Sequence, residues 1–409
     1  MRRVLMISYY FPPLGGIGAL RALGFAEHLP SFGWEPTVLA PSNGAYHRDP
    51  SLDFRSGRTV RTRSLELSRL GKQGLRAGGD DTRPATPGPV RSLARDLARR
   101  WLYHPDAQIG WYLGAAWAGR RLVREGRFDA IYSSSAPMTA HLVGRTLHRS
   151  SGIPWIAEFR DPWSAWIGGE NRRDVRRAER LERSIASEAS AVVMTSPSWA
   201  RQHSERWGRE VITIPNGFGY VPPRSAPGDE LVVGFLGTYY PGRQDLCAVW
   251  NALARLTADG SSPPVRLRVV GEAPQPMRAE LQAAGIEPLV EVTGFMPYEE
   301  SLRHMASSSV LVAAGPAWSR GPLGAGWLPA KLFDYLATGL PIVWLGATPN
   351  DGASMLADQS GCHILGVDNV DEVAAVVREE HGKRYRRDVE GLSRRNRTRA
   401  LADLLDGLV

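Results

Sequence analysis

The chain has 409 residues, 43% of them hydrophobic and 22% charged, with a formal net charge of +8. That length supports two or three domains with full cores, and two cysteines, Cys247 and Cys362, exclude a disulfide framework and a cysteine metal site, which fits a reducing compartment. No apolar run reaches the ~18–20 residues a membrane span needs, and the arginines sit on acid-interspersed helical segments such as 171–184 without any nucleic-acid-binding motif, so the positive balance suits small anions or an anionic membrane surface rather than nucleic acid.

Short apolar strands alternate with helix-length segments along the whole chain, the pattern of parallel α/β sheets. The opening MRRVLMISYYFPP imitates a signal peptide, but its apolar run is short and ends in Pro-Pro, so it reads as a buried strand, Val4–Ser8. Further strands are expected at 36–40, 130–133, 155–158 and 191–195. A second set follows at 231–236, 265–270, 290–293, 310–313 and 341–345. Directly after the first strand comes FPPLGGIGALRA. A dinucleotide fingerprint needs a third glycine where Arg21 stands. Gly15 and Gly16 instead suit close approach of backbone to an anion beside a helix start.

Residues 64–106 combine Gly- and Pro-rich stretches with basic residues, and read as a mobile loop followed by a basic helix, either a lid or an insertion. SSSAPMTAH follows the strand at 130–133 and sets His141 about one turn into a helix. The strand at 155–158 runs into Arg160-Asp161-Pro162-Trp163, which puts charge at a strand's C-terminal end, where α/β sheets hold ligands. The Gly/Pro-rich segment 216–230 marks the break between two domains. LVVGFLGTYYPGR then ends a buried strand in Gly237-Thr238 with Arg243 just beyond, a planar fork suited to phosphate oxygens. VTGFMPY places Phe295 and Met296 at another strand end.

GWLPAKLFDYLATGLPI, residues 326–342, has Pro329 at its start, Gly339 past its end and Pro341 as a stop. Lys331 in the first turn opposes the helix dipole, and it is one of only three lysines among the 50 basic residues. A helix built to hold an anion places a lysine there. Residues 393–408 form a last helical pattern.

The run around Lys331 resembles the C-terminal-domain signature of glycosyltransferases of family 4 (GT4-like, group 1), usually written P-S-K-x-x-E-Y-x-A-x-G-x-P. The order Gly-Gly loop, RDPW, IPNGF, GTYYPGR, VVGE, VTGF and PAKLFDY extends that resemblance over most of the chain outside 64–106. It implies the GT-B fold, two doubly wound Rossmann-like domains facing each other across a cleft. Residues 1–216 would form an acceptor domain, 217–392 a nucleotide-sugar domain, and 393–409 a helix packing back on the first. It implies a donor site of Gly15, Gly16, Gly237, Thr238, Phe295, Met296, Leu332 and Asp334. Arg243 and Lys331 would meet the diphosphate, Asp334 the ribose, and Phe295 and Met296 the nucleobase. RDPW resembles an element of a bacterial subgroup linked to surface-polysaccharide assembly, with Asp161 as an acceptor contact. Three departures stand out. The family's ribose acid is normally Glu and is Asp334 here, its sugar-contacting Glu is Gly326, and a His-Glu-Pro-like triplet is Ser135-Ala136-Pro137, leaving His141 as the substitute candidate.

The activity implied is retaining transfer of a sugar from a nucleotide-diphosphate donor to a small natural product or a lipid-linked or polysaccharide acceptor. Trp101, Trp111, Trp163 and Trp166 are candidates for acceptor stacking. No cofactor or metal is expected, since Asp80-Asp81, the one DxD-like pair, lies within 64–106. The expected location is cytoplasmic or at the inner face of the membrane. A GT-B epimerase and a silent sugar-nucleotide-binding partner are the alternatives.

Overall fold

The computed structural model describes residues 1–44, 46–65, 104–166, 172–223, 228–260, 263–316 and 323–409. Most of the expected loop and basic helix at 64–106, with Trp101 and Asp80-Asp81, lies outside the described residues.

The first half runs β1 (Arg2–Ser8), α1 (Ile17–His28), β2 (Trp34–Pro41), β3 (Arg58–Thr62), α2 (Tyr112–Glu125), β4 (Ala130–Ser135), α3 (Thr139–Ser151), β5 (Trp155–Phe159), α4 (Trp163–Trp166), α5 (Arg172–Glu188), β6 (Ala191–Met194), α6 (Pro197–Trp207) and β7 (Ile212–Thr213). The second runs β8 (Leu231–Leu236), α7 (Cys247–Asp259), β9 (Val265–Val270), α8 (Gln275–Ala283), β10 (Val290–Val292), α9 (Tyr298–Ala306), β11 (Val310–Ala314), α10 (Lys331–Thr338), β12 (Ile342–Leu345), α11 (Asp351–Ala357), β13 (Cys362–Leu365), α12 (Val370–Glu379) and α13 (Arg394–Asp406).

Every described strand pair is parallel, in two sheets ordered β3-β2-β1-β4-β5-β6-β7 and β10-β9-β8-β11-β12-β13. Strands buried on both faces read as near-continuous apolar runs, as β11 and Val4–Ile7 of β1 do, while β4 and β5 are as fully buried but carry Ser133–Ser135 and Glu158. Helices cover both faces of each sheet, which gives four apolar clusters. In each sheet the strand order reverses once, at β1/β4 and at β8/β11. A doubly wound sheet binds its ligand beyond the C-terminal ends of the strands at that reversal.

The two sheets present those ends to each other. Gly15, in the loop after β1, lies against the Phe295 ring, which stacks on His47 at 4.7 Å between centroids. Tyr298 N donates to Asp49 Oδ2 at 3.0 Å. On the other flank, Asp351 accepts from Ser196 Oγ, Ser198 N and Ser198 Oγ at 2.5, 2.8 and 2.6 Å. The chain returns at its end to the first sheet. Leu401, Ala402 and Leu405 of α13 enter the cluster formed by Val4, Met6 and Phe25, and Thr398 Oγ1 donates to Gly24 O at 3.3 Å.

Candidate active site

The site grows from the β8/β11 reversal. Strand β8 is followed by Gly237, whose φ of 91° is the left-handed backbone that glycine permits. The next turn is fixed from inside: Gln244 Nε2 donates to Ala314 O at the end of β11, and Gln244 Oε1 accepts from Tyr240 N at 3.0 Å. That brace aims Arg243 into the cleft. Helix α10 begins at Lys331 itself, two residues later than Pro329 suggested, and has no side-chain cap. It ends as expected at Gly339, φ 73°.

Lys331 as a residue is half-buried, but its ammonium end is enclosed and has no hydrogen-bond partner. It sits 4.0 Å from the centroid of the Phe235 ring, and a Cβ on Gly237 would lie 3.9 Å from Nζ. Burial lowers its pKa to about 7. An enclosed, unpaired cation beside a glycine strand end and a helix N-terminus is an arrangement suited to an anion. Arg243 repeats the pattern: its Nη1 is buried without a partner, and its Cζ lies 4.2 Å from the Trp166 ring centroid. Trp166 comes from the first sheet's side of the cleft.

Trp166 also walls a cavity of about 270 Å³ with Ser135, Ala136, Asp161, Trp163 and Tyr240. The rings of Trp166, Tyr240 and Trp327 lie 6.1 Å apart in each pairing. Burial raises the pKa of Asp161, against the neighbouring Arg160 charge. Arg160 itself braces the loop, with Nε donating to Ser135 O at 2.6 Å and Nη2 to Ala136 O at 2.8 Å. Helix α1 starts at Ile17, directly after Gly16, with no side-chain cap.

The other expected residues fall in three groups. Thr238 and Phe295 are exposed, and Met296 is half-buried beside Phe295. Asp334 is buried and already bonded: Tyr298 Oη donates to its Oδ1 at 2.6 Å, and Arg394 donates to Tyr298 Oη at 2.9 Å. Burial, opposed by Arg394, raises Asp334 to about 6. Leu332 and His141 are not brought to the cleft. Leu332 packs its side chain with Tyr335 and Trp344, because its place on α10 is on the apolar stripe. His141 is fully enclosed, bonded through Nδ1 to Ser133 Oγ at 2.8 Å and packed on Phe159; burial lowers its pKa to about 3. Trp111 is likewise core, its Nε1 donating to Thr62 Oγ1 at 2.8 Å.

Some residues gave no local signal. A Cβ on Gly326 would collide with the Trp199 indole, which reaches across from α6. Arg21, expected only as the residue that spoils a glycine fingerprint, is buried on Glu158 with Nη2–Oε1 at 2.7 Å, and donates to Ile214 O, Pro215 O and Asn216 Oδ1 at the entry to the interdomain segment. Its position four residues into α1, on the buried face, was the available hint. Among the described residues no group of three or more His, Cys, Asp or Glu could hold a metal ion.

Residues 15–217 match the family described as Glycosyl transferase 4-like domain, and residues 230–379 match Glycosyl transferases group 1. A search of curated protein sequences gave no match. Among solved structures, a sucrose-phosphate synthase from Thermosynechococcus elongatus is similar at a TM-score of 0.67 and 14% identity, covering 100% of this chain and 99% of that one. An α,α-trehalose-phosphate synthase from Burkholderia xenovorans, in complex with glucose-6-phosphate, gives 0.63 and 13%, covering 99% of each chain. WaaG, a glycosyltransferase involved in lipopolysaccharide biosynthesis, gives 0.59 and 14%, covering 99% of this chain and all of that one. These likenesses are of fold. With both family matches in chain order, one on each sheet, the chain belongs to the group 1, family 4 glycosyltransferases and has the GT-B fold.

Proposed function

We propose that the protein moves a sugar from a nucleotide-diphosphate donor to a hydroxyl of a ring-bearing acceptor, with retention at the anomeric carbon. The observation that carries the donor half is the enclosed, unpartnered ammonium of Lys331 beside Gly237. Lys331 and Arg243 hold the diphosphate, and the uncapped start of α1 with Gly15 and Gly16 approaches it from the other side. As the bond from the anomeric carbon to the diphosphate oxygen breaks, these cations stabilise the growing negative charge on the leaving group, where such a site gains most. They supply the charge a divalent metal supplies elsewhere, so the reaction runs without one.

The acceptor occupies the cavity beside Asp161. At about 270 Å³ it suits one ring system rather than a drug-sized molecule, and its Trp163, Trp166 and Tyr240 walls suit a sugar or aromatic ring. Asp161 accepts a hydrogen bond from the attacking hydroxyl and orients it. The hydroxyl proton passes to the departing diphosphate oxygen as the new glycosidic bond forms. Small natural products and terminal rings of lipid-linked or polysaccharide acceptors share this chemistry. Asp334, held by Tyr298, offers its remaining oxygen to the ribose. No described helix is long and apolar enough to cross a membrane; the proposed location is cytoplasmic, with the +8 charge favouring contact with an anionic inner face.

Thermal unfolding with UDP, GDP, dTDP and ADP, on wild type and Lys331→Ala, tests the donor half. One diphosphate is expected to stabilise the wild type, with the shift lost in Lys331→Ala. A shift of equal size in both proteins would remove Lys331 from the site and sink the reading.

A further inference from the structure

We propose that Trp166 is a positioning residue that holds the Arg243 guanidinium in its diphosphate-binding pose, so that the grip on the donor is assembled across the cleft rather than within the second sheet alone. The inference rests on the donor-site reading above and adds a residue from the opposite side of the molecule.

Arg243 is otherwise loosely held. Its backbone is fixed, since Arg243 N donates to Tyr240 O at 3.0 Å. Its guanidinium carries an Nη1 that is buried with no partner, and Arg243 forms none of the ion pairs found among the described residues. A long side chain with that much rotamer freedom presents two donors to a phosphate only if something fixes its plane. The Trp166 ring, 4.2 Å from Cζ, is placed to do this. A guanidinium stacks on an indole face without using its in-plane N–H groups, which stay available to the ligand.

Trp166 is itself fixed. It closes the short helix α4, whose start is tied down by Ser164 N donating to the buried Glu182 Oε1 at 2.9 Å. Tyr240 and Trp327 of the second sheet pack near its ring. Separation of the two sheets would therefore take the indole away from Arg243. The same ring walls the cavity beside Asp161, so the groups that meet the two substrates share one side chain.

The test compares a nucleoside diphosphate with its own monophosphate, because a lost Arg243 contact affects the distal phosphate and a general packing defect affects both ligands. The diphosphate that stabilises the wild type, and its monophosphate, are titrated calorimetrically into wild type, Trp166→Leu, Trp166→Phe, Arg243→Ala and the Trp166→Leu/Arg243→Ala double variant. Trp166→Leu is expected to weaken the diphosphate about five- to tenfold, the size of a partly desolvated cation–π contact. It leaves the monophosphate unchanged, Trp166→Phe restores most of the loss, and Trp166→Leu costs nothing further once Arg243 is alanine. Equal weakening of both ligands, or additive losses in the double variant, would overturn the proposal. Should Trp166→Leu not fold, Arg243→Lys keeps the charge and loses the planar stack. An unchanged diphosphate-to-monophosphate ratio there overturns it equally. Full diphosphate binding by Lys331→Ala is a separate result, and contradicts the donor site rather than the role of Trp166.

Discussion

At the scale of the residue, four charged groups are buried in three different ways. Lys331 has no partner, Asp334 has a neutral donor, and Arg21–Glu158 is a closed pair. Only the last is an ion pair closed between two buried side chains. Glu158 also accepts from Tyr132 Oη and Ser134 Oγ at 2.5 and 2.7 Å. Burial alone would raise its pKa, but Arg21 and these donors hold it below the ordinary value. Its stabilisation is therefore present above the unfolded-state pKa and is lost as pH falls through the lower folded value. Removing one partner leaves a buried charge alone, so Arg21→Met should cost about 3–5 kcal/mol in urea unfolding. A loss below about 1 kcal/mol would show that the pair does not hold α1 to the interdomain segment. Lys331 was legible in the sequence because it offends a local rule, a cation at a helix start in a lysine-poor chain. Arg21 was not, because its acid lies 137 residues away and only the sheet brings them together. His141 misled for the same reason: nothing local says that its helix turns that face to the core.

At the scale of the element, the cleft is bordered by helix starts that borrow acceptors from the opposite sheet. Ser196 caps α6 and Asn350 caps α11, both locally. Asp351 then reaches over and accepts from Ser196 and Ser198, adding a carboxylate to the positive end of α6. The caps are readable from residue type and spacing; the crossing is not. Asp351 is expected to hold the two sheets together more than it holds either one folded. Asp351→Ala should lower the unfolding free energy by only about 1 kcal/mol, while X-ray scattering of the nucleotide-free protein should give a larger radius of gyration than wild type. An unchanged radius would mean that Asp49–Tyr298 and the His47–Phe295 stack suffice.

At the scale of the whole molecule, the alternation of strands and helices and the order of the motifs made two parallel sheets legible. Strands at Val4, Trp155, Leu231 and Val310 stand where continuous apolar runs put them. Strands β3, β7 and β13 escaped, being short or half-buried edge strands with little apolar patterning. What the sequence does not carry is the meeting of the two halves. Trp199 against Gly326, Trp166 over Arg243 and Phe295 beside Gly15 pair residues that lie far apart in the chain. That meeting makes the cleft, and the proposed donor site centres on the Lys331 ammonium, whose pKa burial lowers to about 7. A bound diphosphate would restore its proton, so affinity should fall as pH rises above 7. The most direct measurement is calorimetric titration of the stabilising diphosphate at pH 8 in two buffers of different ionisation enthalpy. Wild type should take up close to one proton per nucleotide bound, and Lys331→Met none. Binding without proton uptake in wild type, or the same uptake in Lys331→Met, would contradict the account.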